Sequence, residues 1–202
     1  MDEKQFFPQL KELVEEGNDS KIELFLKKYQ VWADENKKYE FYIIVCQNLI
    51  YLYRSRQNFQ KAVDVSEDML MLMNELHLES EPVYADALVT VAAVYREAGK
   101  YDEAVGYYLS AQPIYSTDTD KSRQDSGYLE MLIGLGECCS RTDKAEKSLM
   151  VYEEAASFIA EQYGKNDAYR IVAGNCAVIC DHLKDSEKAS YYRKEMQYEK
   201  QN

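Results

Sequence analysis

The chain has 202 residues, 46% of them apolar, with 3 prolines, 8 glycines and a formal net charge of −12. So few turn formers exclude a many-stranded sandwich or barrel and point to long helices, an all-α chain. The acidity excludes a nucleic-acid binder, which needs Lys and Arg against phosphate, and argues against docking on an anionic membrane.

The first ten residues, MDEKQFFPQL, open with acid and contain no apolar run, so they do not read as a secretory signal. No stretch reaches the roughly 18 apolar residues of a membrane span. Without an export signal, the five cysteines predict a reduced, cytoplasmic thiol set. Residues 1–42 predict a degenerate helix pair. Phe6, Leu10 and Leu13 fall at i, i+4 and i+7, and GNDS follows as a turn. Ser20-x-x-Glu23 has the form of a capping box opening a second helix, whose stripe is Ile22, Phe25, Leu26, Tyr29 and Trp32.

The rest of the chain repeats. In residues 91–112, VAAVYREAGKYDEAVGYYLSAQ, two amphipathic segments fold back at Gly99-Lys100. The landmarks Tyr95, Gly99, Tyr101, Ala104, Tyr108 and Ala111 recur elsewhere. The small residue of the second segment returns as Ala62, Ala104, Ser148 and Ala189, at spacings of 42, 44 and 41. The aromatic-or-Cys position of the first segment, Tyr53, Tyr95, Cys139 and Cys180, has the same spacings. Self-similarity at one period marks stacked helix pairs, because a single pair cannot bury its apolar stripe alone. The boundaries are read as 1–42 for the degenerate pair, then 43–84, 85–128, 129–169 and 170–202, all within one domain. Pro113, late in its helix, predicts a kink or an early stop. The last helix, about 186–200, is polar enough to cap the array, and Tyr191 and Tyr198 are candidates for a homodimer face.

The pattern VA…Y…GKY…A…Y…A in 91–111 resembles the tetratricopeptide repeat family. The period exceeds the usual 34 residues and is similar to the long-repeat branch of kinesin light chains and bacterial peptide-sensing regulators. Two features depart from the pattern. The turn glycine is replaced by Gln57, Asp143 and Lys184, and the proline expected after each second helix is missing. The resemblance implies a right-handed superhelical solenoid of about five antiparallel pairs. It also implies a concave groove, lined by the first helix of each pair, that holds a peptide or a partner's helix.

The groove candidates are first-helix residues off the packing stripe: Gln47, Asn48, Tyr51 and Arg54; Thr90 and Arg96; Glu137 and Arg141; Asn175 and His182. Val89, Ala93, Gly134 and Val178 are expected on the same face. Arg54, Arg96 and Arg141 hold nearly the same place in three successive pairs and form a basic line suited to a peptide with acidic side chains or a free C-terminus. The alternative is that they suit the helix C-terminus or pair with Glu97 and Glu137. Cys176, Cys180 and Cys139 converge as a zinc set would, but all lie in apolar columns and read as core. His77 and His182 are the only histidines, and no triad, P-loop or dinucleotide fingerprint accompanies them. The sequence therefore predicts no enzyme, no cofactor and no metal. It predicts a protein- or peptide-binding module. The alternatives are a regulatory domain answering a small signalling peptide and a self-associating homo-oligomer.

Overall fold

The computed structural model describes residues 1–117 and 126–197. Among them are ten α-helices, one short 3-10 turn and no strand. The turn, Glu3–Gln5, leads into α1 (Phe6–Glu15), α2 (Asp19–Glu35), α3 (Tyr39–Ser55) and α4 (Phe59–Glu75). Then come α5 (Pro82–Glu97), α6 (Tyr101–Thr117), α7 (Ser126–Arg141), α8 (Ala145–Tyr163), α9 (Asp167–His182) and α10 (Ser186–Met196). The chain divides into two compact units, Met1–Leu78 and Glu79–Asn202. In the first, each helix packs on the next. In the second, α5 and α6 form a pair, α7 packs on both, and α8, α9 and α10 follow in succession. The second to fifth pairs begin at Tyr39, Pro82, Ser126 and Asp167, a few residues ahead of the boundaries read from the sequence.

The two sequence columns explain the pairing. Ala62, Ala104, Ser148 and Ala189 are all fully buried, so the second helix of each pair comes close to the first. Ser148 satisfies its buried hydroxyl by donating to the Gly136 carbonyl across that approach, at 2.7 Å. Tyr53, Tyr95, Cys139 and Cys180 are buried too, and each closes its helix. The N–H of Asn58, Lys100, Lys144 and Asp185 donates to their carbonyls at 2.9 Å. The residue just before each donor, Gln57, Gly99, Asp143 or Lys184, is left-handed, with φ between 56 and 76°. That is the Schellman closure. The replaced turn glycines thus change the residue and not the backbone.

Helix starts are set by side-chain caps. Asn18, Asn58, Asn166 and Asp185 accept from the N–H three residues on, and Pro82 occupies the first turn of α5. The Asn18 cap corrects the expected capping box. Asn18 lies two residues before Ser20, and Ser20 is already inside α2. Glu23 is engaged elsewhere. Pro113 does not stop its helix. It is exposed within α6, which runs on to Thr117, and only the Leu109 carbonyl loses its donor. Phe6 anchors the first pair. Its ring, fully buried, lies 5.0 Å from Phe41, 5.1 Å from Tyr29 and 5.6 Å from Phe25. Tyr191 is exposed, whereas Tyr198 lies outside the described residues.

Candidate binding surface on the first helices

In the first unit, α3 presents Gln47 and Tyr51 to solvent, Tyr51 with 74% of its surface exposed. Asn48 is half-buried, and its amide donates to the Ile44 carbonyl of its own helix at 2.8 Å. Arg54 is half-buried one turn further on.

In the second unit, the Thr90 hydroxyl donates to the Asp86 carbonyl at 2.9 Å. Arg96 of α5 pairs with Glu137 of α7 at 3.3 Å, so the ion-paired alternative holds for this arginine and its charge is cancelled locally. Arg141 is exposed and lies 5.9 Å from the Tyr101 ring centroid, a cation–π arrangement. Asn175 is half-buried and His182 exposed on α9. Val89 and Ala93, expected on the open face, are buried. Gly134 is buried as well, because the Tyr108 hydroxyl occupies the place a Cβ would take.

Two apolar side chains stand out on α9. Val178 is 66% exposed and Ile171 is 67% exposed. Val178 sits at the repeat position of Glu137, and Ile171, absent from the sequence-derived set, sits at that of Glu130. The 41-residue step from α7 is the signal that locates it. Gly174, between them on the helix face, lies beneath Met196, whose methyl would be 3.2 Å from a Cβ there.

Elsewhere the polar chemistry is structural. Glu23 of α2 accepts from Tyr53 (2.9 Å), Arg56 (2.9 Å) and Lys61 (2.9 Å), and Lys27 approaches at 3.4 Å. The Lys61 hydrogen bond is the largest influence on its carboxyl, which is held down at about 2. Similar tyrosine–carboxylate bonds tie Tyr115 to Asp86, Tyr128 to Glu154, Tyr169 to Glu195 and Tyr192 to Glu153. No sequence motif announces them, since each joins residues 26 to 39 apart.

The five cysteines are free and buried. Desolvation pushes the thiols of Cys46, Cys138 and Cys176 up to about 12 and raises Cys139 and Cys180 as well. Among the described residues no group of three or more His, Cys, Asp or Glu side chains is placed to hold a metal ion, and no helix is long and apolar enough to cross a membrane.

Many solved structures are similar in fold, three of them as follows. BtubC (BKLC) of P. vanneervenii matches with a TM-score of 0.82 at 18% identity, over 96% of this chain and 78% of that one. The nearly identical TPR-like repeats of a P. anserina kinesin light chain match with a TM-score of 0.77 at 12% identity, over 96% and 92%. The Rap conjugation gene regulator of plasmid pLS20, in complex with the Phr* peptide, matches with a TM-score of 0.58 at 14% identity, over 79% and 42%. No family model and no curated protein matches the sequence. The chain has the fold of the tetratricopeptide repeat proteins.

Proposed function

We propose that the chain is a cytoplasmic, non-enzymatic interaction module that takes a peptide or a partner's helix on the exposed faces of its first helices. The observation that carries this is that Tyr51 and Val178, at matching repeat positions, stand exposed on helices whose opposite faces are fully packed. Each unit offers its own set. Gln47, Asn48, Tyr51 and Arg54 serve in the first. Thr90, Arg96, Glu137, Arg141, Asn175 and His182 serve in the second. Five free thiols support the reducing compartment. A ligand with acidic side chains or a free C-terminus would meet Arg141 as its open cation in the second unit.

Peptides selected by display against the immobilised protein, then titrated calorimetrically, test this. Tyr51→Ala or Arg141→Ser should weaken a selected peptide by about fivefold or more. No selectable peptide, or peptides indifferent to both changes, would contradict it. The Rap–Phr* likeness favours a second reading, a sensor whose helices tighten around a signalling peptide. Compaction on binding, seen by X-ray scattering, would distinguish it from a rigid scaffold.

A further inference from the structure

The solvent face of α2 is unlike a solvated surface. Its core side carries Ile22, Leu26, Tyr29 and Ala33, all buried. Its opposite side carries Leu24 and Val31, each 57% exposed, at i and i+7. Met1, also 57% exposed, reaches the same side. With Lys27, Lys28, Val31, Trp32 and Glu35 it lines a recess of about 440 Å³. Such a recess has room for several side chains of a partner.

The charges on this face have an order. Lys27 and Lys28 precede Val31, and Asp34 and Glu35 follow it. Lys28, Asp34 and Glu35 make no ion pair among the described residues, and Lys27 has only its i−4 contact with Glu23. A second α2 laid antiparallel about Val31 meets Val31 with Val31. It sets Lys27 against Glu35 and Lys28 against Asp34, twice over. An isologous contact requires this self-complementarity, in which each residue's partner in turn sees it as its own.

We infer that α2 is a self-docking surface on which a second copy of this chain pairs antiparallel about Val31, its Val31 and Met1 entering the facing recess. Two helices in side-by-side contact bury less than a standard interface, so the dimer belongs to the weak, concentration-dependent class. The net charge of −12 on each copy opposes it, and salt at 0.15 M screens that repulsion beyond about 8 Å. The inference does not depend on the peptide-binding surface, because α2 is the second helix of its pair.

The test is sedimentation equilibrium of the untagged protein at 0.15 M salt, from about 10 µM to 1 mM. The wild type should pass from 23.5 kDa towards twice that mass. Val31→Glu should weaken the association by about tenfold or more. Lys27→Glu with Lys28→Glu should leave the chain monomeric, and so should Asp34→Lys with Glu35→Lys. Mixing these two double variants should restore a dimer, since one face is then wholly acidic and the other wholly basic. All these positions are exposed, and circular dichroism checks that the variants stay folded. A wild type monomeric throughout overturns the inference. So does a dimer that survives Val31→Glu and both charge reversals, because its contact then lies on another face.

Discussion

The Tyr53 hydroxyl of α3 donates to the Glu23 carboxylate of α2 at 2.9 Å, joining two helices whose contributing residues are 30 positions apart. Arg56 and Lys61, from the turn and helix that follow, bring two cations to the same carboxylate, and the Lys61 ammonium also lies 5.2 Å from the Tyr53 ring centroid. Glu23 thus fastens the first pair to the second, helped by Asp19, which accepts from the Arg56 Nε at 3.0 Å.

The Glu23 carboxylate makes the first unit sensitive to acid. Its folded value, about 2, lies below the ordinary 4.5, so the folded state holds the ionised form more tightly than the unfolded chain does. The resulting stability is fully present above pH 4.5 and is lost as pH falls through 4.5 towards 2. Glu23→Gln should cost about 1–2 kcal/mol at pH 7, a figure reduced for the partly exposed cations, and markedly less at pH 3. Urea unfolding at both pH values measures the difference. An equal cost at both would show that the carboxylate's charge is irrelevant.

Of the five turns among the described residues that carry a side chain where the backbone is left-handed, three lie between the two helices of a pair: Gln57 (φ 57), Asp143 (φ 56) and Lys184 (φ 60). Replacing each with glycine should stabilise by about 0.5–1 kcal/mol, and the three gains should add because the turns are far apart in sequence and in separate pairs. Gly99→Ala, at φ 76, should cost about 1 kcal/mol. Thermal or chemical denaturation provides the values.

Tyr108 and Gly134 form a test of close packing. The Tyr108 hydroxyl is buried and has no hydrogen-bond partner among the described residues. It fills the space a Gly134 Cβ would need, with the Tyr108 Cε2 atom 2.9 Å from that position. Gly134→Ala should therefore cost about 1–3 kcal/mol. Tyr108→Phe should be neutral or stabilising, because it removes an unsatisfied hydroxyl. Combining the two should recover only a small part of the loss, because the ring atoms Cζ and Cε2 that phenylalanine keeps still crowd the Cβ position, and a double-mutant cycle reads that weak coupling.

The buried thiols should be inert. With every cysteine buried and the thiol values raised by desolvation, Ellman's reagent should titrate fewer than one thiol in the native protein at pH 8 and five after denaturation. Rapid native labelling would show that the pairs open readily.

Much of this was legible beforehand because it is periodic. The Ala62–Ala104–Ser148–Ala189 column and the Tyr53–Tyr95–Cys139–Cys180 column are spaced by one helix pair, and burial falls where those columns fall. The turns were legible in position but misleading in residue type, since Gln, Asp and Lys adopt the conformation that glycine would. The α2 cap was misplaced because Asn18 and Ser20 are both good caps, and only the hydrogen bond from the Lys21 N–H separates them. The surface was the least legible part. Whether Arg96 offers its charge to a ligand depends on Glu137, 41 residues away, and the sequence names both without saying that they meet. Glu23 drew attention only as half of a capping box, because its cations come from the next pair.

A ligand held on the first helices should slow exchange of their backbone amides. Hydrogen–deuterium exchange of the intact protein, with and without a display-selected peptide, tests it most directly. Added protection should fall on α3, or on α5, α7 and α9, around Tyr51, Arg96, Arg141 and Val178, while α4, α6 and α8 exchange as before. Protection concentrated on the second helices would contradict it.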